Sequence, residues 1–154
     1  VMRKSEQHID FDLDLAVSQS KDNAVYYIQY AHARVNRMVD VRAPEKNIAF
    51  DRTQLAHYDV SILVSNTETE LLAKLAAYPE IVARAANSYE PHQIGNYLKE
   101  LAALFHGWYA QDDVKILDEQ NIALSQARLV LSLNVQQVLK NGLTLLGVSA
   151  PESM

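Results

Sequence analysis

A tyrosine and two arginines share one face of the first long helix that the sequence predicts. Tyr30, Arg34 and Arg37 are spaced by four and three residues, which places them on one helical stripe. An exposed tyrosine ring can stack on an unpaired nucleic-acid base while a guanidinium one turn away meets the neighbouring phosphate. The same spacing also fits a tyrosine at the border of the core with arginines in surface ion pairs. The pattern alone leaves both interpretations open.

Further aromatic and basic side chains lie on the later predicted helices. Trp108 and Tyr109 end the most clearly amphipathic of them, where aromatic residues at helical spacing more often pack in the core than bind a ligand. Arg128, Lys140 and Asn141 lie beside the apolar stripe of the longest predicted helix, where a solvated edge is the ordinary interpretation. On pattern alone, Tyr109 is either a core residue or a ligand contact.

The acidic segment near the start has the residue types of a metal site but not the spacing. A calcium loop that begins at Asp10 and includes Asp12 and Asp14 needs glycine at its sixth position and glutamate at its twelfth. Leu15 and Lys21 occupy those positions, so we expect no metal site. The chain also lacks the zinc-protease, nucleophile-elbow and phosphate-loop motifs. The sequence therefore predicts no catalytic residues and no self-contained enzyme.

The elements that position these side chains are predicted to be helices. Only 4 Gly and 4 Pro interrupt long apolar-periodic stretches, which predicts an all-α helical bundle of about five main helices. Thr67 and Glu70 form a capping-box pattern at the start of the second helix. The predicted helices run from Ala24 to Arg42, Thr67 to Ala77, Pro79 to Ser88, Pro91 to Tyr109 and Asn121 to Leu146.

Two glycines have specific expected roles in the last helix. Gly147 is expected to end it, because glycine is the usual residue just after a helix C-terminus. Gly142 falls on the inner stripe, where the missing side chain lets another helix approach closely, at a propensity cost of about 1 kcal/mol relative to alanine.

Composition limits the classes of partner. The 154 residues suit one domain, and the absence of cysteine excludes a disulfide framework and is compatible with a cytoplasmic protein. A net charge of -5 argues against nucleic-acid binding through bulk positive charge, and no apolar run is long enough to span a membrane. Several bases nevertheless lie close together and predict a local basic strip: Arg34, Arg37, Arg42, Lys46 and Arg52.

Two long strings resemble arginyl-tRNA synthetases. The string HIDFDLDLAVSQSKDNAVYYIQYAHARV, from His8 to Val35, resembles the segment of that family that joins the catalytic core to the C-terminal domain. The string ARLVLSLNVQQVLKNGLTLLGVSAPESM, from Ala127 to Met154, resembles the family's closing helix and tail. The resemblance covers essentially the whole chain, and QYAHAR and VLKNGL are its specific motifs.

The resemblance implies a helical anticodon-binding domain named after an Asp-Ala-Leu-Arg motif, of which this chain keeps Ala127, Arg128 and Leu129. It implies a linker over residues 1–20 and the helical domain over residues 21–154. In the family, residues that match Tyr30, Tyr109 and Met154 surround the splayed anticodon bases. With these we group Arg34, Arg37 and Arg128, which we expect to support phosphates.

The resemblance also implies the partners. We expect the chain to bind arginine tRNA and the enzyme's own catalytic core, as a cytoplasmic monomer without DNA or membrane partners. The core's His-Ile-Gly-His and Lys-Met-Ser-Lys type signatures are absent, so this chain, which begins at Val1, is expected to be an inactive fragment of a class I arginine-tRNA ligase. ATP with Mg belongs to the full-length enzyme, and no cofactor is expected here. A helical protein-protein interaction module without RNA binding is the alternative.

Overall fold

Five main α-helices make up the fold. The computed structural model describes residues 22–111 and 115–154, and those residues contain helices and turns but no β-strand. The predicted all-α bundle is confirmed. The acidic residues Asp10, Asp12 and Asp14, and the proposed linker over residues 1–20, lie outside the described residues. The main helices are α1 (Ala24–Arg37), α2 (Asn66–Ala76), α3 (Tyr78–Ser88), α4 (His92–Tyr109) and α5 (Ile122–Leu145).

Helix α1 begins at an asparagine cap and continues into an irregular turn. The Asn23 side chain accepts hydrogen bonds from the backbone N–H groups of Val25 and Tyr26, at 3.1 and 3.3 Å, which satisfies two of the donors exposed at a helix start. A π-helical turn, Met38–Arg42, and a last helical turn, Ala43–Glu45, follow without a break. The helical segment therefore extends three residues beyond the predicted end.

The capping box of α2 lies two residues before the predicted one. The Ser65 hydroxyl accepts a hydrogen bond from the Glu68 N–H, and the Glu68 carboxylate accepts one from the Ser65 N–H. The Thr67 and Glu70 assignment was therefore wrong. Both pairs have the same three-residue spacing, but only Ser65 has the extended backbone that an N-cap residue adopts.

Helix α4 is the centre of the bundle and contacts each of the other four helices. Its apolar positions recur every three or four residues, so one stripe supplies much of the core, including the fully buried Leu98, Phe105 and Trp108. Trp108 is thus a packing residue. Tyr109, the next residue, is turned partly outward and is 38% exposed.

Both glycine predictions for α5 are confirmed. A Cβ on Gly142 would lie 2.5 Å from Cδ2 of Leu98, so the Leu98 side chain of α4 occupies the space that a side chain on α5 would need. Gly147 has a φ of +71°, in the left-handed region that glycine adopts without strain, and it reverses the chain after α5. Among the described residues, none of the helices combines the length and the apolar character needed to cross a bilayer.

Candidate nucleic-acid interface

One open pocket of about 410 Å³ is lined by five of the six residues predicted to form the site. It lies between the exposed face of α1, the end of α4 and the tail that follows α5. The π-helical turn after α1 contributes Met38, Asp40, Val41 and Arg42 to the same pocket. The predicted residues that line it are Tyr30, Arg34, Arg37, Tyr109 and Met154.

Helix α1 presents its site residues on the face opposite the core. Ile28 and Val35 are completely buried on the inner face, while Tyr30 is 37% exposed and Arg37 is exposed. An amphipathic helix at the edge of a bundle turns an apolar face to the core and a polar face to solvent. The stripe expected from the spacing of these residues is therefore present in the structure.

The Arg34 guanidinium lies close to two tyrosine rings. Its Cζ atom is 4.6 Å from the ring centroid of Tyr30 and 4.4 Å from that of Tyr109. One terminal nitrogen also donates a 3.1 Å hydrogen bond to the Tyr30 hydroxyl. Both distances are within the range of cation–π attraction, so Arg34 joins α1 to the end of α4.

His106 fixes the other end of this guanidinium. Its Nδ1 accepts a 2.9 Å hydrogen bond from Arg34, and its Nε2 donates to the Tyr27 carbonyl oxygen at 3.3 Å. Arg34 can only donate, so the imidazole must be neutral with its proton on Nε2. Burial lowers the pKa of His106 and the Arg34 charge lowers it further, while the hydrogen bond to Tyr27 opposes them. The net shift favours the same neutral form.

Sequence reasoning did not single out His106. It precedes Tyr109 by three residues, so both lie on the same face of α4, and that spacing was the available signal. The imidazole ring also packs against Tyr30, with ring centroids 5.7 Å apart and planes inclined by 25°. His106 is thus part of the cluster that sets the position of Tyr30 and Arg34.

The expected basic strip is largely neutralised by carboxylates. Arg42 pairs with Glu45 at 3.3 Å, Lys46 with Glu119 at 3.2 Å and Arg52 with Asp40 at 3.0 Å. Arg37 differs, because it is exposed and has no ion pair with any residue that the structure describes. It is the arginine of this pocket that is most available to an incoming anion.

Arg128 is placed elsewhere, and the structure does not support a phosphate contact from it. Its Nε donates a 2.7 Å hydrogen bond to Glu68 Oε1, and a terminal nitrogen donates to the Lys115 carbonyl oxygen at 2.7 Å. The two charged side chains are 10% and 1% exposed. A guanidinium already paired in the interior is not free to bind an incoming anion, and Arg128 does not line the pocket.

The carboxylate partner of Arg128 is ionised. Burial by itself raises the pKa of Glu68, but hydrogen bonds from Arg128 and Ser65 outweigh burial and hold that pKa below its usual value of 4.5. The pair therefore joins the start of α2 to α5 as a buried ion pair. In this fold Arg128 is held in a buried ion pair, apart from the pocket that the other five predicted site residues line.

Comparison with known proteins identifies the family of this chain. The DALR anticodon binding domain model matches residues 28–154. Arginine--tRNA ligases of Acinetobacter baylyi and Acinetobacter baumannii (strain AYE) are 69% and 67% identical over the whole chain. The chain spans 25% of the length of each of these relatives.

Solved structures agree with the sequence relatives. The arginyl-tRNA synthetase of Thermus thermophilus superimposes with a TM-score of 0.79 at 29% identity, over 100% of this chain and 25% of that one. An arginyl-tRNA synthetase of Campylobacter jejuni superimposes with a TM-score of 0.81 at 25% identity, over 99% of this chain and 31% of that one. The chain therefore belongs to the DALR anticodon-binding domain family, in the form found in arginine-tRNA ligases.

Proposed function

We propose that this chain binds the anticodon stem and loop of arginine tRNA as the C-terminal domain of an arginine-tRNA ligase. The observation that carries the proposal is the convergence of Tyr30, Arg34, Arg37, Tyr109 and Met154 on one pocket. Those residues come from α1, from the end of α4 and from the tail after α5, which are far apart in the sequence, so their meeting is a property of the fold. The family match and the arginine-tRNA ligase relatives support the same function.

The chemistry of the pocket suits an unpaired RNA loop. The rings of Tyr30 and Tyr109 are each partly exposed and offer stacking surfaces to bases. The exposed Arg37 offers a charge to a phosphate, and the exposed side chain of Met154 adds an apolar wall. Arg34 supports the two rings and is held by His106.

The remaining parts of the activity belong to the full-length enzyme. We propose that a catalytic core outside this chain binds ATP with Mg and arginine and transfers arginine to the tRNA. Residues 1–20 connect that core to the helical domain of residues 21–154 in this proposal. The enzyme acts in the cytoplasm, where its tRNA substrate is found, and works as a monomer.

Binding to RNA is expected to depend on contacts more than on a long-range field. The net charge is -5, and three of the five bases of the expected basic strip are paired with acids. Few free positive charges near the pocket mean a shallow salt dependence and weak binding to unrelated RNA. The protein-interaction alternative has no support from the relatives, which are arginine-tRNA ligases.

The test is a titration of the chain with an arginine tRNA transcript and with a transcript of the same length for another amino acid. We expect Tyr30→Ala to weaken binding of arginine tRNA by about 5-fold to 150-fold, since stacking contributes about 1–3 kcal/mol per base. Changing Tyr30 and Tyr109 together should abolish specific binding. Equal and negligible binding of both transcripts to the parent chain at low salt would refute the proposal.

A matched control is available directly after α3, at its C-cap. Tyr89 is 91% exposed and does not line the pocket, so replacing it tests whether the loss of a surface tyrosine outside the pocket weakens binding. It has a φ of 56°, and we choose Tyr89→Asn because asparagine tolerates that conformation. The control variant should bind arginine tRNA as the parent does.

A further inference from the structure

The tail after α5 is fastened to α1 by a row of side-chain hydrogen bonds. Three side chains of α1, spaced by three and four residues along one face, donate to backbone carbonyl oxygens of the tail. The bonds are Gln29 Nε2 to Ser149 O at 2.8 Å, His32 Nδ1 to Pro151 O at 2.9 Å and Asn36 Nδ2 to Glu152 O at 3.1 Å.

Asn36 is itself held in place, and His32 is buried. The Oδ1 atom of Asn36 accepts a 2.7 Å hydrogen bond from Gln136 on α5, so its amide nitrogen is turned toward the tail. Gln136 also donates to the His32 carbonyl oxygen at 3.1 Å. His32 is 3% exposed, and burial lowers its pKa, which keeps the ring in the neutral form.

The tail forms one wall of the candidate nucleic-acid interface. Glu152, Ser153 and Met154 line that pocket, while Glu152 and Asn36 also line a second pocket. Met154 is 51% exposed, so packing of its own side chain does little to fix its place. The position of Met154 therefore depends on the bonds that hold residues 149–152.

We propose that Gln29, His32 and Asn36 are positioning residues that hold the tail so that Met154 closes the RNA pocket. This inference rests on the proposed function. Gln29 and His32 lie outside the RNA pocket and Asn36 lines it, but in this proposal each acts through the tail carbonyl that it binds. The tail residues 149–152 have no helix or strand partner for these carbonyl groups, so the side-chain donors of α1 are what fix their position.

The competing explanation is that these bonds only stabilise the fold. The test compares Asn36→Ala in the parent chain and in a chain shortened to end at Ala150, which lacks Met154 and the bonded Glu152 carbonyl. We expect Asn36→Ala to weaken arginine tRNA binding about 2-fold to 10-fold in the parent chain, as loss of one hydrogen bond would. In the shortened chain the same substitution should change binding by less than about 2-fold.

A second readout does not depend on RNA. The methyl NMR signal of Met154 should move toward its random-coil position in Asn36→Ala, while the signal of the buried Met38 stays unchanged. The matched control is Asn141→Ala, which removes an exposed amide of α5 that bonds Gln137 and not the tail. That control should leave both the binding and the Met154 signal as in the parent.

The outcomes separate the two proposals. If the parent chain binds no arginine tRNA but the Met154 signal moves in Asn36→Ala, the proposed function fails and the tail-holding role stands. If the parent binds and Asn36→Ala alters neither the binding nor the Met154 signal, the positioning role is overturned. If Asn36→Ala weakens binding equally in the parent and in the shortened chain, the positioning role is also overturned, because the effect then does not pass through the tail.

Discussion

Removing Arg128 should destabilise the fold and leave the RNA pocket intact. In Arg128→Ala the carboxylate of Glu68, 1% exposed as a side chain, loses its 2.7 Å partner and keeps only hydrogen bonds from the uncharged Ser65. Leaving one member of a buried ion pair unpaired costs about 3–5 kcal/mol. For a domain of this size that loss lowers the melting temperature by about 6–20 °C.

The assay is urea unfolding followed by far-UV circular dichroism, with tRNA titration under conditions where each variant is folded. The control is the double change Glu68→Gln with Arg128→Met. Glutamine keeps an acceptor for the Ser65 N–H, and no buried charge remains unpaired. The double variant should therefore be more stable than Arg128→Ala alone. Folded Arg128→Ala should bind arginine tRNA within about 2-fold of the parent, because the guanidinium is outside the pocket.

A particular result would refute this reasoning. If Arg128→Ala unfolded within about 1 kcal/mol of the parent and yet bound arginine tRNA more than about 10-fold more weakly, the ion pair would be of little structural value. Arg128 would then act on the RNA, as we expected from the sequence, and the buried geometry would have to change on binding.

Two further predictions concern the core and the pH dependence. Gly142→Ala should not raise the free energy of unfolding by the usual amount of about 1 kcal/mol, because the new Cβ would overlap the Leu98 side chain. In a Leu98→Ala background the same change should stabilise the protein, and urea unfolding measures both effects. The free energy of unfolding should fall as the pH drops below 6.5, the ordinary pKa of histidine, because the unfolded chain takes up a proton that the folded His106 beside Arg34 resists. Urea titrations at about pH 7.5 and about pH 5.5 should show a smaller difference for His106→Gln, and an equal difference would contradict the assignment.

Local periodicity was enough to predict the helices and one face of the site. The spacing of Tyr30, Arg34 and Arg37 determines a common stripe wherever the segment is helical, because 3.6 residues complete each turn. The inner position of Gly142 follows from the same periodicity. The helix end at Gly147 follows from the ease with which glycine adopts a positive φ. The capping box of α2 was misplaced because two pairs of residues carry the same spacing, and only the backbone conformation distinguishes them.

The partners of those side chains were decided by the tertiary structure. Arg128 has the sequence context of a helix edge, but the fold places the carboxylate of Glu68, 60 residues earlier, at 2.7 Å from it. His106 meets Arg34 across 72 residues, and Asn36 holds the Glu152 carbonyl across 116. Helical spacing reports which side chains share a face and carries no information on what lies opposite that face. Whether an arginine was available to RNA or enclosed in an ion pair therefore depended on how the helices pack.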